Sequence, residues 1–209
     1  MKLLTKEKLH YWGQSLIHPF DAFFEIRFRN QGSLLIATLL LIAYAVLTCL
    51  KFQYTGFPMN FNNIEEMDAL SLFISVISVV ALFTVSNWTI TTLFNGKGKM
   101  KDIFIVVCYS LTVLIIGDSL VTFASNFVTT EEVMILTSIQ LLCYVYFVFL
   151  VVAGLTTIHE YGFGGSIMSI IMSIVAAAII LFIGILVFTM LERMISFVTS
   201  VAEELMRRL

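Results

Sequence analysis

One carboxylate in this sequence stands where carboxylates are rarely found. Asp118 is flanked by Ile115, Ile116, Leu120 and Val121, well inside an apolar run. An ionised carboxylate in hydrocarbon is costly, so Asp118 is expected to be protonated, paired or turned toward a polar cavity. Two roles are open. It carries a proton or cation along a polar path, or it makes a structural hydrogen bond to a neighbouring helix, with Asn87, Thr89 or Gln140 as candidates. Gly117 and Ser119 beside it would let a second helix come close. With Lys51 counted in an outer segment, no transmembrane Lys, Arg or His offers an obvious counter-charge.

Other candidates are weaker. His159-Glu160 could ligate a metal or move a proton, but the second histidine of HExxH is missing, and the remaining histidines are His10 and His18. Asn87-Trp88 pairs an amide with a ring suited to the membrane interface. Asn95-Gly96-Lys97-Gly98-Lys99 is glycine-rich and basic, yet it lacks the GxxxxGK[ST] spacing of a phosphate-binding loop. Its glycines suit a tight turn and its lysines suit lipid headgroups. Cys49, Cys108 and Cys143 lie in apolar runs without CxxC spacing and read as packing residues. No Ser/His/Asp set or catalytic pair of carboxylates is evident, so neither an enzyme nor a cofactor is expected.

The medium that must surround these residues follows from composition. The chain has 209 residues, 59% hydrophobic and 12% charged, with a mean hydropathy of +0.99. A soluble domain carries roughly 25% charged residues, so most of this chain requires a bilayer as solvent. The net charge of -2 argues against a nucleic-acid partner. The sequence predicts an all-α bundle of five transmembrane helices over 34–52, 69–94, 103–127, 133–157 and 167–191. A cytoplasmic interfacial segment, 1–33, precedes them, with no cleavable signal peptide evident. An amphipathic helix over 192–209 follows.

Orientation follows from the basic residues. With the amino terminus inside, the inner segments hold Lys2, Lys6, Lys8, Arg27, Arg29, Lys97, Lys99 and Lys101. The outer segments hold Lys51, Arg193, Arg207 and Arg208. That bias places the amino terminus in the cytoplasm and, with five spans, the carboxyl terminus outside. The inner basic residues are expected to meet anionic lipid headgroups. Pro19 should end a first short helix, and Phe20, Phe23, Phe24, Ile26 and Phe28 form a second, aromatic interfacial stretch. Leu191, Met194, Ile195, Val198, Ala202, Leu205, Met206 and Leu209 make an apolar stripe at 3–4 spacing. That stripe reads either as a surface-lying extension of the fifth helix or as a partner-docking helix.

The order of several short motifs resembles the bacterial branch of the Ypt-interacting-protein (Yip) family. His18-Pro19-Phe20-Asp21-Ala22-Phe23, Arg27-Phe28 and Gly32-Ser33 precede the first span, and Thr55-Gly56-Phe57 with Asn60-Phe61-Asn62 follows it. Trp88 and Leu93-Phe94-Asn95-Gly96-Lys97-Gly98 close the second span. Tyr109-Ser110-Leu111-Thr112 opens the third, and Ile158-His159-Glu160-Tyr161-Gly162-Phe163-Gly164 precedes the fifth. The resemblance implies five transmembrane helices, a cytoplasmic amino terminus and an outer carboxyl terminus. Eukaryotic members bind Rab-type GTPases and carry a long hydrophilic amino-terminal region. The thirty-odd residues before the first span here are not such a region, so that role is not carried over. Some bacterial members accompany ABC transporters. The family often has proline near Val113, and its absence implies a straighter third helix.

The function expected from this reading is that of a non-enzymatic accessory protein of the bacterial plasma membrane. It would bind an ABC transporter or another membrane protein, self-associate, or organise local lipid. The alternative is a small transporter or channel with Asp118 lining a polar path.

Overall fold

The computed structural model describes residues 6–63, 67–94 and 96–208. Lys2, Glu65, Glu66 and Asn95 lie outside the described residues, as do the side chains of Lys6 and Arg208. Seven helices account for most of what is described. They are α1 (Lys6–Ile17), α2 (Pro19–Phe28), α3 (Leu34–Tyr54), α4 (Ala69–Leu93), α5 (Met100–Ala124), α6 (Val133–His159) and α7 (Phe163–Arg208). No strand occurs among the described residues. Helices α3 to α7 are each long and apolar enough to cross a membrane. The hydrocarbon core requires a segment whose backbone hydrogen bonds are all internal, which a helix supplies.

The ends of the helices obey local chemistry. Pro19 cannot continue α1, because it lacks an N–H to donate, and it becomes the first residue of α2. Asp68 caps α4 by accepting hydrogen bonds from the N–H groups of Leu70 (3.1 Å) and Ser71 (3.2 Å). Glu160 ends α6 in the left-handed conformation, φ 57°. Helix α5 runs unbroken through Val113, where no proline interrupts its hydrogen bonds.

Helices α3 to α7 alternate in direction. At one end lie Arg27, Lys97, Lys99 and Lys101, here the basic end. Asp68, Glu131 and Glu132 mark the opposite, acidic end. Helix α5 is the hub: two thirds (67%) of its most apolar stretch is buried, against 6% for α7. Its Ile105, Val106, Cys108, Tyr109 and Leu111 fill the core, with α3, α4 and α6 around them.

The α1–α2 hairpin packs along the flank of the bundle. The Trp12 indole N–H donates to Thr112 Oγ1 (2.9 Å), twelve residues into α5 and about 18 Å along its axis. The Tyr146 hydroxyl donates to the Leu16 carbonyl. Phe23, Ala22 and Ile26 are fully or almost fully buried in the protein, while Phe20, Phe24 and Phe28 stay half exposed. The aromatic stretch is therefore two-sided, and only one side is left to meet lipid.

Helix α7 continues without interruption past Leu191, so the boundary expected between span and amphipathic tail falls inside one 46-residue helix. Neither Pro nor Gly occurs after Gly184 to bend it.

Candidate functional site

Two polar clusters lie within the bundle, one toward each end, with an apolar cavity between them.

Near the acidic end, Asp118 is almost wholly buried. Lys51 Nζ lies 3.0 Å from its Oδ1, and the Gln140 side-chain amide donates to the same oxygen at 2.9 Å. Of the three hydrogen-bond partners expected, Gln140 is found. Thr89 turns its hydroxyl back to the Val85 carbonyl, and Asn87 belongs to the other cluster. The expectation that no counter-charge is at hand is overturned by Lys51. That lysine lies in the last turn of α3, where the helix C-terminus favours a cation. Its ammonium also lies 3.4 Å from the Tyr144 hydroxyl and 5.8 Å from that ring's centroid. Asp118 is thus paired with a lysine within the bundle. A Cβ on Gly117 would run into Cys143 on α6, so this glycine sets the α5–α6 approach that lets Gln140 reach Asp118. Ser119 is exposed and bonds to its own helix.

At the basic end the motif residues converge. The His159 ring is buried. Its Nδ1 accepts from the Gly98 N–H (3.2 Å), so the proton is assigned to Nε2, which donates to Asn87 Oδ1 (3.2 Å). Asn87 Nδ2 donates in turn to Ser173 Oγ (2.9 Å), and Ser173 to the Ser169 carbonyl (2.7 Å). One imidazole thus ties together the ends of α4 and α6, the loop between α4 and α5, and the first turns of α7. Lys97 pairs with Glu160 across the surface. The Tyr161 hydroxyl donates to the Phe94 carbonyl (3.0 Å), and burial pushes the Tyr161 phenol pKa up.

The glycines here meet a need other than the tight turn expected. None of the described glycines has positive φ. A Cβ on Gly98 would sit 2.5 Å from His159 Cε1, and one on Gly96 would sit 2.7 Å from both Thr91 Cβ and the Tyr161 hydroxyl. They are glycines because the loop backbone lies directly against the histidine and tyrosine. Gly32 is similarly confined by Ile26 and Ile105, beside the Ser33 N–H that donates to the Tyr109 hydroxyl (3.1 Å). At the acidic end the Gly56 N–H donates to Ser125 Oγ (2.8 Å).

Several basic residues expected at lipid headgroups are engaged with the protein. Arg27 faces inward, 3.5 Å from Asp102 in the first turn of α5, with both side chains mostly buried. Arg29 lies 3.3 Å from Glu25, and Lys97 is paired with Glu160. Lys99 and Lys101 are exposed, Lys8 is half-buried, and His18 and Trp88 are exposed. No group of three or more His, Cys, Asp or Glu suited to a metal occurs among the described residues.

Between the clusters, α4 and α6 scarcely touch. Helix α5 forms a floor with Val107, Leu111 and Leu114, and α7 fills the space toward the basic end through Ile167 and Ile170. The cavity left has a volume of about 750 Å³. Val79 on α4 and Val148 on α6 line it and are both more than half exposed, so it opens on the side of the bundle.

An all-helical bundle with five apolar spans, with Asp118 and His159 buried and partnered inside it, is a polytopic membrane protein. The family model for the Yip1 domain matches residues 13–187. The chain belongs to that family. No curated protein and no solved structure matches it.

Proposed function

We propose that this protein is a non-enzymatic accessory subunit of the bacterial plasma membrane, which holds an apolar transmembrane helix of another membrane protein in the groove between α4 and α6. An ABC transporter is the favoured kind of partner. The amino terminus and the basic end face the cytoplasm, where Lys8, Lys99 and Lys101 meet anionic headgroups, and the carboxyl terminus is outside.

The groove is the observation that carries this reading. Two transmembrane helices stand apart over a floor of Val and Leu side chains, and the opening lies on the side of the bundle. Association within a bilayer relies on close packing, because lipid tails are as apolar as leucine. A concave apolar face offers a partner helix more packing than a convex one. The polar groups suit the same role. His159 and Asn87 satisfy each other and their neighbours, which makes the basic end a rigid base for α4, α6 and α7.

A photo-crosslinking residue at Val79 in full-length protein in cells should capture one membrane protein. The same residue at Leu142, on the lipid-facing side of α6, should capture only lipid. Capture of lipid at both positions would contradict the proposal.

The alternative, a small transporter using Asp118, draws on the ion pair within the bundle. It differs in predicting solute flux that depends on Asp118.

A further inference from the structure

We propose that α7 pairs, parallel and in register, with α7 of a second copy of this chain, through a seam running from Ile180 to Leu205. The pairing does not depend on the groove between α4 and α6.

The length of α7 is the first observation. Its 46 residues span about 69 Å, against a hydrocarbon core of about 30 Å. Within α7 the first charged residue is Glu192. From there to Arg208 the helix continues in line, with no glycine or proline to turn it onto the membrane surface. The helix thus carries an apolar stripe roughly 24 Å beyond its last uncharged stretch. A lone helix of that length is marginal in water, and this one leaves Leu191, Met194, Val198 and Leu205 each more than half exposed.

The pattern of that stripe is the second. Gly184, Leu191, Val198 and Leu205 fall at successive a positions of a heptad, and Ile180, Val187, Met194 and Val201 at the d positions. Glu192, Arg193, Glu203, Glu204 and Arg207 all fall elsewhere, and Arg208, at the next d position, ends the apolar run. The seam is set apart by charged neighbours over its last two heptads, Leu191 to Leu205, and continues toward Ile180 through a stretch that is apolar on every face.

The third observation is Gly184. Glycine is disfavoured inside a helix, and a Cβ there would meet nothing within 4 Å. Nothing in the chain's own fold requires a glycine at this point. A small residue at an a position inside the membrane lets a second helix come close.

The occupant follows from symmetry. Every copy inserts in the same direction, so α7 helices meet in parallel. The same seam on each is then self-complementary about a two-fold axis. The residues concerned, past Ser173, pack little against the rest of the chain.

The test is a scan of single cysteines from 191 to 205 in the full-length chain, with Cys49, Cys108 and Cys143 replaced, oxidised in native membranes. Disulfide-linked dimer should peak at 191, 194, 198, 201 and 205. It should be about tenfold weaker at 192, 196, 199 and 203, because a disulfide requires Cβ atoms about 4 Å apart. In a second variant, Val198→Glu should abolish linkage through Met194→Cys without changing the melting temperature of the bundle. Gly184→Leu should reduce linkage likewise. Equal yields at all positions would mean random collision and overturn the proposal. So would an absence of dimer at every position, the result for a surface-lying helix or one bound to a different protein.

Discussion

Lys51 Nζ and Asp118 Oδ1 meet at 3.0 Å although 67 residues separate them. The contact follows from equal depth. Both helices start at the basic end, and Lys51 stands 17 residues beyond Leu34 while Asp118 stands 18 beyond Met100. Lys51→Met leaves a buried carboxylate held by Gln140 alone. Breaking a fully buried pair costs about 3–5 kcal/mol, and the lysine's 28% exposure reduces this to about 1–3 kcal/mol. Thermal unfolding in detergent checks it, and an unchanged melting temperature would show that the pair contributes nothing.

Asp118→Asn keeps an acceptor for Gln140 but loses the charge. It should destabilise by less than Asp118→Leu, which also loses the hydrogen bond, a difference of roughly 0.5–2 kcal/mol. Ion flux in proteoliposomes should be absent for wild type and both variants. Flux present in wild type and lost in a well-folded Asn variant would favour the transporter reading.

Gly98→Ala should destabilise by about 1–3 kcal/mol, the usual range for overpacking, because its methyl group would press on His159. Gly184→Ala, with nothing nearby in the same chain, should leave the melting temperature of the monomer unchanged or raised. Equal losses at the two sites would mean that helix or loop propensity, and not the contact with His159, sets the cost.

His159→Ala removes the partner of the Gly98 N–H and of Asn87 Oδ1. Each buried group left unpaired costs roughly 1–3 kcal/mol. In a double-mutant cycle His159→Ala and Asn87→Ala should be strongly non-additive, with a coupling of about 0.5–3 kcal/mol. Additive losses would show that the two side chains act independently.

Topology is checked by single cysteines at Asn62 and Lys99 in a chain without its native cysteines. An impermeant thiol reagent added to intact cells should label position 62 and spare 99. The reverse pattern would invert the orientation inferred from the basic residues.

Much of this was legible in the sequence. Five apolar runs of spanning length became α3 to α7, because a bilayer offers the backbone few other solutions. The short motifs proved to be neighbours in space: Gly98 lies on His159, and Ser33 on the Tyr109 hydroxyl. Gln140 was predictable as a partner for Asp118 because a buried carboxylate needs a donor. Lys51 was not, because a lysine one residue from the end of an apolar run reads as loop until depths are compared across helices. Arg27 read as a lipid contact for the same kind of reason. Its sequence neighbours do not reveal that Asp102, 75 residues away, turns toward it. The groove was invisible as well, since it depends on how far apart α4 and α6 stand.

Co-purification of wild type and Val79→Trp, compared quantitatively by mass spectrometry, tests the accessory role most directly. The indole would fill the groove from a half-exposed position without disturbing the His159 or Asp118 clusters. One membrane protein should be enriched with wild type and lost with Val79→Trp, at an unchanged melting temperature. Equal enrichment with both, or no protein enriched by either, would contradict the account.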